Sequence, residues 1–109
     1  MIEIIIDYKN DQIVSFKVQG HADYGPEGED ICCAGVSAVT QTAIVGLLKH
    51  LELKPDYKIE KGCLACKLPS SLGEKDKEKA QLILSSMEAG LMSMQEAYGD
   101  FIRVSIRRC

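Results

Sequence analysis

The 109-residue chain has no excess of positive charge: 13 Lys and Arg stand against 16 Asp and Glu, a formal net charge of −3. Nucleic-acid binders ordinarily carry a basic excess or a basic stripe, so direct nucleic-acid contact is not expected. The opening residues, Met1-Ile2-Glu3-Ile4-Ile5-Ile6-Asp7, lack a basic region and are interrupted by acids. They do not read as a secretory leader, and the cytoplasm is the expected compartment. Nor is there an even set of cysteines for a disulfide framework; the count is five, and a reducing compartment keeps them as thiols. Metal ligands are scarce as well. Cys63-Leu64-Ala65-Cys66 has no second C-x-x-C or paired histidines to complete a zinc site, so neither metal nor other cofactor is expected. Linkers, repeats and low-complexity tracts are missing, which leaves one domain over residues 1–109.

What is present is a regular alternation of patterns. Ile2, Ile4 and Ile6 alternate with Glu3, Ile5 and Asp7, and Val14, Phe16 and Val18 alternate with Ser15 and Lys17. Turn-forming Lys9-Asn10-Asp11-Gln12 between them predicts a β-hairpin. Gly20 to Asp30 holds too many breakers for a regular element and is expected to be a mobile loop. A helix then runs to about Leu51, with Asp30 as its expected N-cap. Tyr57–Glu60 and Cys63–Leu68 form a second hairpin around Lys61-Gly62. A second helix opens in the segment from Ser70, capped by Ser70 or Ser71, with a core stripe of Ala80, Leu84, Met87, Leu91, Met94 and Tyr98 and a stop at Gly99. Phe101–Ile106 is a last strand. The order ββαββαβ implies an α+β domain, a largely antiparallel sheet with two helices packed on it.

From Ile31 to Leu48 no residue is charged. Ser37, Thr40, Gln41 and Thr42 interrupt the stretch, which is at the short limit for a membrane span, so it reads as a buried core helix and no membrane contact is expected. Being apolar on nearly all sides, it should be covered by a sheet and by a partner subunit, and a homodimer is expected.

One junction carries the chemistry. Gly20-His21-Ala22 ends the second strand, and Cys32-Cys33-Ala34-Gly35 begins the first helix. A useful thiol nucleophile needs a lowered pKa, a base and some exposure. The first turn of a helix supplies unpaired N–H groups and the positive end of the dipole, which stabilise a thiolate and can receive an oxyanion. His21 can complete a thiol–imidazole pair. Consecutive helix positions are about 100° apart, so only one of the two thiols can face it. The alternative is a small core cysteine beside an unrelated histidine.

The run Gly20-His21-Ala22, Gly28, Asp30-Ile31 and Cys33-Ala34-Gly35-Val36-Ser37 resembles the signature of the ribosomal-processing cysteine protease family (Prp). The resemblance implies a catalytic dyad of His21 and Cys33. It also implies a cytoplasmic homodimer, and a substrate, large ribosomal subunit protein twenty-seven, whose short N-terminal extension is removed. It selects Cys33 over Cys32, which then takes a core-facing role where the family usually has an aliphatic residue.

Around the dyad, Gly20 supports the site. Asp30 caps the helix or orients His21, and Ser37, one turn beyond Cys33, lines the site or fills space. The acids Asp23, Glu27, Glu29 and Asp30 are a solvated run or an attractor for a basic substrate. Ala22 to Glu29 is expected to close over bound substrate. If Cys63–Cys66 is a strand, its thiols point to opposite faces and are structural. His50 and Cys109 carry no catalytic role. Two other functions fit the same residues: a non-catalytic ribosome-associated module that holds a basic protein tail, and a thiol-redox protein built on Cys32-Cys33 or the C-x-x-C.

Overall fold

The structure, a computed structural model, describes residues 1–20 and 27–109, with backbone alone over 27–30. Strands β1 (Ile2–Lys9) and β2 (Gln12–Gln19) form the first hairpin. Its two turn residues, Asn10 and Asp11, both have positive φ, 53° and 61°. That is the turn whose twist matches a two-residue hairpin, and Asn and Asp are the side chains that best tolerate it. The register slips once, because Asp7 pairs with Ser15 but Tyr8 with Ile13. Val14 is therefore a bulge residue, and the buried face of β2 is carried by Ile13 and Phe16, not by the simple alternation through Val14.

Helix α1 (Glu27–His50), strands β3 (Asp56–Glu60) and β4 (Cys63–Lys67), helix α2 (Glu74–Ala97) and strand β5 (Ile102–Arg108) follow. The α+β domain has the expected ββαββαβ order. The sheet order is β3-β4-β2-β1-β5, antiparallel throughout except where β5 lies parallel to β1. Ile2, Ile4, Ile6, Phe16, Leu64 and Ile102 present one apolar face of the sheet. It is buried in a single core with Val36, Ile44 and Leu47 of α1, with Leu51 just past its end, and with Ala80, Leu84, Met87 and Leu91 of α2.

The helices run antiparallel at close range. A Cβ on Gly35 would lie 2.8 Å from Met94 Cε, one on Gly90 3.9 Å from Val39, and one on Gly46 3.6 Å from Ile83. Small residues at three levels let the two backbones approach. Helix α2 is also pinned to the sheet by polar side chains two turns apart. Gln81 bonds both the N–H and the C=O of Ile13 at 2.8 Å, Tyr8 donates to Glu88 at 2.6 Å, and the Val104 N–H donates to Gln95 Oε1 at 2.5 Å.

The start of α2 differs from expectation, while its end just before Gly99 does not. Helix α2 begins after Gly73, without a side-chain cap, instead of at Ser70 or Ser71. Leu68 and Leu72 are both drawn into the core, which keeps the intervening chain irregular. Its first-turn Asp76 is buried and accepts bonds from the N–H groups of Glu52 and Leu53, at 2.9 and 3.2 Å, tying down the exit from α1. At the other end Tyr98 is the C-cap and is exposed, so the core stripe ends at the half-buried Met94.

Helix α1 is not covered all round. The Ile31–His50 stretch is long and apolar enough to cross a membrane by length and composition. Here one side of it lies on the sheet and another against α2, while Ile31 and Val45 remain 61% exposed on the outer side.

Candidate active site

Helix α1 starts at Glu27, so Asp30 is its fourth residue and not its N-cap. Glu27, Gly28, Glu29 and Asp30 make up its first turn. Two expectations change with it. The irregular stretch from Gly20 to Asp30 is helical over its last four residues. Cys32 and Cys33 fall in the second turn, where backbone N–H groups are bonded within the helix, so they are not the unpaired donors of the first turn. His21, Ala22, Asp23, Tyr24, Gly25 and Pro26 lie outside the described residues, and with them the imidazole of the expected dyad and most of the expected closing loop.

The two adjacent thiols point to different places. Cys32 is 1% exposed and sits in the core among the sheet residues. Cys33 is half-buried and lines a cleft of about 420 Å³. Ser37 and Gln41, at successive turns beyond Cys33, continue the helical wall, and Gln41 donates to Ser37 Oγ at 2.7 Å. Ile2, Val18 and Gly20 form the sheet wall, and the β3–β4 hairpin from Ile59 to Leu64 forms the far rim. The structure thus gathers Gly20, Cys33 and Ser37 at one cleft.

Gly20 is held where no other residue fits. Its φ is +84°, and a Cβ there would stand 2.5 Å from the carbonyl oxygen of Met1. The chain can leave β2 in this direction, toward His21, only with glycine at the turn.

Gln41 and the hairpin rim were not singled out from sequence. Gln41 follows Cys33 by two helical turns, and that spacing was a signal for it. The rim has none, because it reaches the cleft only through the pairing of β4 with β2.

Of the remaining thiols, only Cys63 touches this cleft. Cys66 pairs with Phe16 on the inner face and is buried, and burial, with the nearby Asp56 charge, pushes its pKa up to about 12. Cys63 is half-buried at the cleft rim and Cys109 is exposed; none of the five cysteines is in a disulfide. His50 ends α1 at a separate groove between the helices.

Known proteins share this fold. The sequence profile of the family described as cysteine protease Prp matches residues 1–103. The ribosomal processing cysteine protease Prp of Bacillus subtilis (strain 168) is 32% identical over 108 residues, covering 96% of each chain. The crystal structure of the essential ribosomal processing protease Prp from S. aureus with a substrate peptide superposes with a TM-score of 0.85. It is 27% identical and covers 98% of this chain and 100% of that one. The same S. aureus protein with a covalently linked product peptide gives a TM-score of 0.81 at 28% identity, with 98% and 100% covered.

Proposed function

The chain belongs to the cysteine protease Prp family and is a cysteine protease, and from that premise we propose that it removes the N-terminal extension of large ribosomal subunit protein twenty-seven, using Cys33 and His21. The observation that carries the choice of nucleophile is the divergence of the neighbouring thiols: Cys33 opens into the cleft, whereas Cys32 is enclosed in the core. In the proposed reaction His21 accepts the Cys33 proton and the thiolate attacks the scissile carbonyl carbon. Collapse of the tetrahedral intermediate breaks the C–N bond, and His21 returns the proton to the leaving amine. Water, deprotonated by the same imidazole, then releases the acyl group from Cys33. The covalently linked product peptide on the S. aureus relative supports a step of this kind.

The enzyme is proposed to act in the cytoplasm as a homodimer. Ile31 and Val45 of α1 and Leu82 of α2 leave an apolar strip that a second copy would cover, beside an interhelical groove of about 550 Å³. The test is incubation with the extended ribosomal protein, read by mass spectrometry, with particle mass followed by light scattering. Cys33→Ala is expected to abolish cleavage and Cys32→Val to retain most of it. The reverse pattern would refute the assignment, and a monomer mass would refute the dimer.

A further inference from the structure

The two edges of the sheet differ. Along β5 the outward N–H of Ile102 donates to Tyr98 O at 3.2 Å and that of Val104 to Gln95 at 2.5 Å, so the beginning of that edge is closed by its own helix. On the other side, Leu68 N donates to Val14 O at 2.9 Å, which directs the even-numbered residues of the β4 segment toward β2. Cys63, Ala65 and Lys67 then turn to β3, where their partners are Glu60, Lys58 and Asp56. Strand alternation leaves the backbone N–H and C=O groups of Tyr57 and Ile59 directed away from the sheet. Among the described residues no hydrogen bond reaches them.

A second observation concerns the side chains of the same two residues. Tyr57 and Ile59 pair with the buried Cys66 and Leu64 on the helix-side face, yet they are 49% and 46% exposed. The helices cover β4 and stop short of β3. An apolar strip therefore lies beside an open backbone edge. It is continuous with the cleft, since Ile59 and Glu60 line that cleft together with Cys33.

Building on the proteolytic reading, we infer that the edge of β3 is the substrate track: the polypeptide to be cut adds there as a sixth strand and enters the cleft at Ile59. Added strands take affinity from main-chain bonds and specificity from alternate side chains. The substrate matched to this edge is an extended segment with apolar side chains at every second position, covering Tyr57 and Ile59. Asp56, Lys58 and Glu60 face the opposite side of the sheet, where the intervening substrate residues can be polar. An extended chain is also the form in which a scissile carbonyl is open to a thiolate.

Ile59→Pro tests this, because it removes an outward N–H that bonds nothing within the sheet, and proline is tolerated at such edge positions. Ile59→Ala controls for the side chain. With a peptide spanning the extension junction, kcat/KM is expected to fall about tenfold further in Ile59→Pro than in Ile59→Ala. On the substrate side, N-methylation of alternate peptide bonds should weaken cleavage by the unaltered enzyme, while methylation of the intervening bonds should not. This arm decides the matter even if Ile59→Pro folds poorly. Equal cleavage by the Pro and Ala variants, or indifference to the position of N-methylation, would overturn strand addition and leave the protease reading intact. No cleavage by the unaltered enzyme would overturn both.

Discussion

Gly20 and the Cys32-Cys33 pair show how much a single position contributes to the site. Gly20 combines a left-handed φ of +84° with a backbone oxygen 2.5 Å from where a side chain would begin. Neither can be relieved by a flexible neighbour, since the obstacle is the Met1 main chain. Gly20→Ala is expected to destabilise the protein by at least about 1–2 kcal/mol, the usual cost of a left-handed L-residue. A urea midpoint that falls accordingly, with a parallel loss of cleavage, would bear this out. An unchanged midpoint would mean that the chain can leave β2 by another path. At Cys32 and Cys33 a rotation of one helix position separates a core side chain from a cleft side chain, which is why two identical residues serve unlike purposes.

At the scale of elements, the closeness of α1 and α2 is set by glycines whose surroundings differ. A methyl on Gly46 would meet Ile83 carbons at 3.6–4.0 Å, ordinary contact distance, whereas one on Gly35 would meet Met94 Cε at 2.8 Å and displace it. Glycine within a helix costs roughly 0.5–1 kcal/mol relative to alanine. Gly46→Ala is therefore expected to stabilise the fold by about that amount, measured as a higher denaturant midpoint. Gly35→Ala should gain less, because part of the helical benefit is consumed in moving Met94. Equal gains would show that the Met94 contact is loose. The ladder of Gln81, Glu88 and Gln95 explains why α2 keeps its position over three different strands: each side chain answers a polar group of β2, β1 or β5.

For the whole molecule, a buried thiol and a half-buried phenol set a limit at alkaline pH. Burial, with Asp56, raises the Cys66 thiol from 9.0 to about 12. Burial, together with the bond to Glu88, raises Tyr8 from 10.0 to about 12. In the unfolded chain both groups ionise first, so the native state is disfavoured once solution pH exceeds the unfolded value. Stability should hold up to about pH 9 and decline progressively toward about pH 12. Urea midpoints across that range test this, and Cys66→Ala should remove part of the decline. A flat profile would mean that these side chains are not sequestered in solution. At the acid end, the hydrogen bond from Arg107 holds the Asp7 carboxyl below its ordinary 3.8, so β5 loses a tie to β1 as pH falls through that region.

Local periodicity made the elements legible in the sequence, because alternation along β1 and the three-four spacing of Ala80, Leu84, Met87 and Leu91 depend only on neighbouring residues. The adjacency of a glycine-led strand exit and a helical Cys-Cys-Ala-Gly also marked the region of the site. What only the tertiary structure decided depends on partners far along the chain. The Val14 bulge arises from the register between β1 and β2. The start of α1 at Glu27 moved the thiols out of the first turn, against the expectation that Asp30 would cap it. Cys33 faces a cleft because β4 pairs with β2 and carries the β3–β4 rim to α1, and β3 is left open because neither helix extends over it. Side-chain spacing encodes which residues share a face, whereas the identity of the opposing surface is fixed only when distant segments compete to bury it.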